Sequence, residues 1–206
     1  EVLGKLLGYT RDSYSLTYNS ETVSMDELER IYEGRLEKVF PCNIESGSGK
    51  VKAFSYKERS SLSPAGKVAR PRVLIPVFPG TNCEYDTARA FEKAGAEPTI
   101  LVIKNLTPSH IAESVERMAA EIGRSQIIMI PGGFSGGDEP DGSGKFITAF
   151  FRNPKIKDAV HELLYSRDGL VGGICNGFQA LIKTGLLPYG RITDIDESSP
   201  PLTFNT

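Results

Sequence analysis

The stretch that decides the fold is residues 170–184, Leu170-Val171-Gly172-Gly173-Ile174-Cys175-Asn176-Gly177-Phe178-Gln179-Ala180-Leu181-Ile182-Lys183-Thr184. Its opening, Leu170–Ile174, is a short apolar run of strand length. From Asn176 to Thr184 the apolar residues recur at helical spacing. A strand that becomes a helix over so few residues needs a sharp turn at Cys175. Gly173 and Gly177, two residues before and two after, let neighbouring backbone approach without a Cβ clash. The pattern has the form of a nucleophile elbow with cysteine in the serine position. It holds residue 175 in a strained conformation at a helix N-terminus, where free N–H groups favour negative charge on sulfur.

Upstream, the same alternation repeats. Arg72–Val77 is a compact apolar run, and Asn82–Ala94 is an amphipathic helix stopped by Gly95. Pro98–Ile103 reads as a second strand. Thr107-Pro108 supplies an N-cap and a first-turn proline for a helix reaching about Ile122. Gln126–Ile130 is a third strand, cut by Pro131-Gly132-Gly133, and residues 145–167 carry one or two helices. Near-continuous apolar strands alternating with helices predict an α/β fold: a doubly wound, mostly parallel sheet of flavodoxin-like or Rossmann-like type. Ligands then sit at the carboxyl ends of the strands, which singles out the loops Phe78–Cys83, Pro131–Lys145 and Gly172–Gly177.

Residues 1–70 differ in character, being rich in Ser, Tyr and charge. Ser24 and Glu27 form a possible capping box for an amphipathic helix over Met25–Phe40, ended by Pro41. Residues 41–70 read as a linker. This part is expected to dock on something outside the chain.

The 206 residues carry 24 Lys+Arg against 26 Asp+Glu, a net charge of -2, which removes the electrostatic case for a nucleic-acid binder. No apolar run is long enough to span a bilayer. Three cysteines are too few and too scattered for a disulfide framework, so a reducing, cytoplasmic location is expected. Cys42 follows Pro41 and Cys83 lies in the first strand–helix loop; neither has the context of Cys175. The acidic groups Asp138, Glu139 and Asp141, and Asp194, Asp196 and Glu197, lack the spacing of a calcium loop, so no metal site is expected.

Three stretches in order now point to a family. Gly-Ile-Cys-Asn-Gly-Phe-Gln at 173–179 resembles the signature of class I (triad) glutamine amidotransferases. With Pro-Gly-Gly-Phe-Ser at 131–135 and Pro-Gly-Thr-Asn-Cys-Glu at 79–84, residues 71–206 resemble the glutaminase portion of the phosphoribosylformylglycinamidine synthase family. Residues 1–70, through Leu36-Glu37-Lys38-Val39-Phe40-Pro41, resemble the tail of that family's synthetase portion and its linker.

The resemblance implies that Cys175 attacks the side-chain amide of glutamine, forming a γ-glutamyl thioester and releasing ammonia. Asn176 and Gly133 would supply oxyanion N–H groups, while Gly132, Phe134, Ser135 and Gln179 would hold the substrate. It implies no cofactor in this fragment, with ATP and Mg acting in the synthetase portion, the expected partner. There the ammonia would convert formylglycinamide ribonucleotide to the amidine of purine biosynthesis.

The resembled family places a His and a Glu, two residues apart, well downstream of the cysteine. No His follows Cys175 here; the two present are His110, in a helix's first turn, and His161, on a surface-type helix. Both read as solvated. The expectation is a glutaminase domain truncated at its C-terminus and inactive by itself. A non-catalytic interaction module and another cysteine-elbow hydrolase stay open as alternatives.

Overall fold

A computed structural model describes residues 4–39, 55, 57, 66, 68–135, 137 and 142–202. Most of the expected linker, together with Cys42, Asp138, Glu139 and Asp141, lies outside the described residues. Residues 4–39 and residues 68–202 fall into two separate compact units.

The first unit begins with strands β1 (Ser15–Tyr18) and β2 (Glu21–Ser24), paired antiparallel with Tyr18 opposite Glu21. Asn19 takes the left-handed conformation of the tight turn, φ 55. The sequence reading foresees no strands here, because four-residue strands of mixed polarity leave little periodic signal. Helix α1 (Met25–Gly34) follows, and the Ser24 side chain accepts from the Asp26 N–H at 3.2 Å. The expected N-cap is therefore present, but the helix stops at Gly34, well short of Phe40. Glycine is a poor helix former, and no residue of α1 is buried, so packing does not extend it.

The second unit is a parallel sheet of β3 (Arg72–Val77), β4 (Glu97–Val102), β5 (Ile127–Ile130) and β6 (Leu170–Gly173). The strand order is β4-β3-β5-β6. Between the strands run α2 (Glu84–Lys93), α3 (Pro108–Arg124), α4 (Lys145–Phe151) and α5 (Pro154–His161), the last continuing into a π-helical turn, Glu162–Ser166. After β6 come α6 (Asn176–Thr184) and a short α7 (Leu186–Tyr189).

Val73, Leu74 and Ile75 are all fully buried, which explains an unbroken apolar run where one solvated face would give alternation. Val73 and Ile75 pack with Ala88 and Phe91 of α2; Leu74 packs on the other side with Met118, Ile122, Phe151 and Leu163. Helices thus cover both faces, as the alternation predicts. The chain leaves β3 for the edge strand β4, then crosses back to β5 on the other side. The β3/β5 boundary is therefore the topological switch point, whose carboxyl end is where such sheets bind ligands.

Both histidines are half-buried, against the expectation that they are solvated. His161 is not solvated: it is half-buried, its Nε2 accepts the Ile192 N–H at 3.0 Å, and its ring meets Tyr165 edge-on. Burial, then the nearby Lys157, pushes its pKa below the usual histidine value. The unfolded chain therefore takes up a proton first, and stability present above about pH 6.5 is lost as pH falls through the lower folded value. A His161→Gln variant is expected to flatten the thermal-stability profile between pH 7 and 5. An unchanged slope would contradict this role for His161.

Candidate active site

The site is built on the exit from β6. Two residues separate Gly173 at the strand end from Asn176 at the start of α6. Cys175 is the N-cap of α6 with φ 51 and ψ -110, a backbone region that side chains rarely adopt. The turn is that tight because the backbones around it touch. A Cβ on Gly173 would lie 2.6 Å from the Gly177 carbonyl, and one on Gly177 would lie 2.3 Å from the Ile130 oxygen. The Ile174 N–H donates to the same Ile130 oxygen at 3.1 Å, tying the elbow to the end of β5. Asn176 and Gly177 are buried in consequence, whereas Cys175 is exposed. The elbow thus presents its sulfur outward at the start of a helix.

The loop after β5 lies directly against it. A Cβ on Gly132 would come 3.4 Å from the Cys175 Cβ. On its far side this loop pairs with the loop after β3, through an isolated antiparallel bridge between Thr81 and Gly133. The Asn82 N–H donates to the Gly132 oxygen at 3.0 Å, and the Phe134 N–H to the Gly80 oxygen at 2.8 Å. Neither bond uses the N–H of Gly133 itself. The approach is close enough that a Cβ on Gly133 would sit 2.3 Å from the Gly80 oxygen.

The Asn176 side chain joins the two halves: its Oδ1 accepts the Ser135 N–H at 3.1 Å, and its Nδ2 donates to Gln179 Oε1 at 3.1 Å. Phe134 is exposed, Gln179 half-buried and Ser135 fully enclosed, its Oγ without a partner among the described residues. The structure therefore gathers Cys175, Gly132, Gly133, Ser135, Asn176 and Gln179 around one turn. An exposed thiol beside backbone N–H groups suits nucleophilic attack on a carbonyl. The sequence reading missed the side-chain role of Asn176 and the bracing by Gly80, Thr81 and Asn82. The place of Phe78–Cys83 after a strand and the turn signal Pro79-Gly80 mark that loop, but not which loop it braces.

Among the described residues neither histidine hydrogen-bonds to Cys175; the His161 ring is engaged by Ile192, and the buried Nδ1 of His110 has no partner. Cys83 caps α2 in a left-handed conformation, φ 69, and its thiol faces the Asn82 Oδ1. No cluster of His, Cys, Asp and Glu among the described residues could hold a metal. No helix among them is long and apolar enough to cross a membrane.

Residues 70–206 match the CobB/CobQ-like glutamine amidotransferase domain. Among curated proteins, the chain is 39% identical over 123 residues to phosphoribosylformylglycinamidine synthase subunit PurQ of Dehalococcoides mccartyi, covering 59% of the chain and 43% of that relative. It is 40% identical over 136 residues to the subunit of the same name from Methanococcus maripaludis strain C5, covering 66% of the chain and 46% of the relative. The chain thus spans less than half the length of these relatives. The solved structure of PurLQS from Thermotoga maritima aligns with 31% identity and a TM-score of 0.39, over 57% of this chain and 45% of that one.

Proposed function

The chain belongs to the family of CobB/CobQ-like glutamine amidotransferase domains, and from that premise we propose that it is the glutaminase portion of a phosphoribosylformylglycinamidine synthase. The observation that carries this reading is the exposed Cys175, held at φ 51 on a strand–helix elbow against Gly132.

Cys175 Sγ attacks the side-chain carbonyl carbon of glutamine. The N–H groups of Gly133 and Asn176 receive the developing oxyanion; the first is left unused by the bridge, and the second lies in the first helical turn, where N–H groups have no intrahelical partner. Collapse of the tetrahedral adduct expels ammonia and leaves a γ-glutamyl thioester, which water hydrolyses to glutamate. Gly132 gives the substrate room beside the sulfur, Phe134 borders the approach, Ser135 anchors the loop through its N–H, and Gln179 contacts the substrate. Gly173 and Gly177 permit the turn.

The ammonia passes to a synthetase portion, in the same polypeptide or another. There ATP and Mg support formation of the amidine from formylglycinamide ribonucleotide, in the cytoplasm. Residues 1–70 belong to that portion and its linker, and residues 71–206 to the glutaminase.

Neither histidine hydrogen-bonds to the sulfur among the described residues, so deprotonation of Cys175 lacks a histidine base there. Losing a triad member costs on the order of 10⁴ or more in kcat. Against a typical kcat of about 10 s⁻¹, the purified chain is expected to release glutamate from glutamine at no more than about 10⁻³ s⁻¹, and only with Cys175 intact. Turnover of order 1 s⁻¹ would contradict the missing base. Residual turnover that survives Cys175→Ser would contradict the nucleophile.

A further inference from the structure

We propose that the Asn176 side chain is a positioning residue that fixes the hydrogen-bonding polarity of Gln179, so that Gln179 meets the ligand as a donor. The inference rests on the glutaminase reading for the identity of that ligand, but not for the relay itself.

The relay begins at a group whose polarity is fixed. A backbone N–H can only donate, so the Asn176 atom 3.1 Å from the Ser135 N must be its oxygen. The other end of the Asn176 carboxamide is then its NH₂, also donor only. It lies 3.1 Å from Gln179, whose facing atom must therefore be Oε1. That leaves the Gln179 Nε2, with its two protons, for whatever occupies the site. The two carboxamides form a relay that carries the direction of a backbone N–H from the loop after β5 to the first turns of α6.

Asn176 is only 1% exposed, so a rotated amide would leave its buried polar groups mismatched, and the orientation is held. Of the polar groups of glutamine, the ammonium is a donor and is rejected. The side-chain carbonyl is directed to the oxyanion N–H groups. The α-carboxylate is the acceptor that remains for Gln179.

Asn176→Asp tests this with little change in shape. Its carboxylate still accepts the Ser135 N–H, but it cannot donate to Gln179. Gln179 then turns its NH₂ toward Asp and presents Oε1, an acceptor, to the ligand. The readout is alkylation of Cys175 by a glutamine affinity label, 6-diazo-5-oxo-L-norleucine, divided by its alkylation by iodoacetamide. That ratio cancels changes in the thiol itself.

The ratio is expected to fall tenfold or more in Asn176→Asp, through weaker half-saturation, since a hydrogen bond to a charged group is lost and replaced by repulsion (roughly tenfold or more). Gln179→Met is expected to show a fall of similar size. The double variant should fall no further than Gln179→Met alone, because Asn176 acts through Gln179. A fall on adding Asn176→Asp to Gln179→Met that equals its effect in the wild type would show a merely structural role and overturn the proposal.

Independently of any ligand, scalar couplings across the two hydrogen bonds, from Ser135 N to Asn176 Cγ and from Asn176 Nδ2 to Gln179 Cδ, are expected in the isotopically labelled chain. Their absence overturns the relay whatever the label does. Both couplings with no preference for the glutamine label would instead overturn the glutaminase reading, and the recognition step with it.

Discussion

Replacing Cys175 by glycine is expected to abolish glutamine-dependent chemistry and, at the same time, to raise the melting temperature of the chain. The first half follows from the loss of the sulfur. The second follows from the backbone: φ 51 with ψ -110 is a conformation that glycine adopts readily and cysteine only under strain. Relief of that strain is worth about 1–3 kcal/mol. Against it stands the greater freedom of glycine in the unfolded chain, about 0.4–1 kcal/mol. A net gain of roughly 1 kcal/mol corresponds to about 2–4 °C for a domain of this size. Cys175→Ser keeps the side-chain strain and should lose the chemistry without the gain, so calorimetry on both variants separates the two effects. Equal melting temperatures for the glycine and serine variants would contradict a strained elbow.

Gly177→Ala is expected to do the reverse, destabilising the second unit while leaving every reactive group in place. The added Cβ would lie 2.3 Å from the Ile130 oxygen and 2.9 Å from its carbonyl carbon. Both are backbone at the end of a buried strand and cannot swing aside. Overpacking of this kind costs about 1–3 kcal/mol, occasionally more, or a fall of roughly 2–12 °C. The direction is informative because intrinsic helix propensity favours alanine over glycine by about 1 kcal/mol. Gly123→Ala serves as the internal reference: that glycine lies in α3 with nothing within 4 Å of an added Cβ, so its variant should gain stability. A Gly177→Ala variant that melts as high as Gly123→Ala would show that the elbow does not rest on β5.

The sheet and its order of elements were legible because burial on both faces writes itself into short uninterrupted apolar runs. Arg72–Val77 and Asn176–Thr184 coincide with β3 and α6 to the residue. The elbow was legible because its two close approaches, Gly173 on Gly177 and Gly177 on the distant Ile130 oxygen, each demand a glycine, and the paired glycines stand in the sequence. The hairpin of β1 and β2 was not, being short and exposed on both sides, and α1 was overextended because an amphipathic pattern does not say whether a partner surface is present. Least legible was the part played by the Asn176 side chain. Its bond to Ser135 spans 41 positions and exists only once the loops after β5 and β6 are neighbours. His161 was misjudged for the same reason, since the Ile192 N–H that engages it lies 31 positions away.

The central claim is that Cys175 is a nucleophile aimed at glutamine. It is tested most directly by treating the intact chain with 6-diazo-5-oxo-L-norleucine and mapping the adducts by peptide mass spectrometry, with and without excess glutamine. Cys83 is also exposed and so acts as a control within the same molecule. The expected result is an adduct on Cys175 that glutamine suppresses, with Cys83 left unmodified. Equal modification of the two cysteines, or an adduct on Cys175 that glutamine leaves untouched, would contradict it.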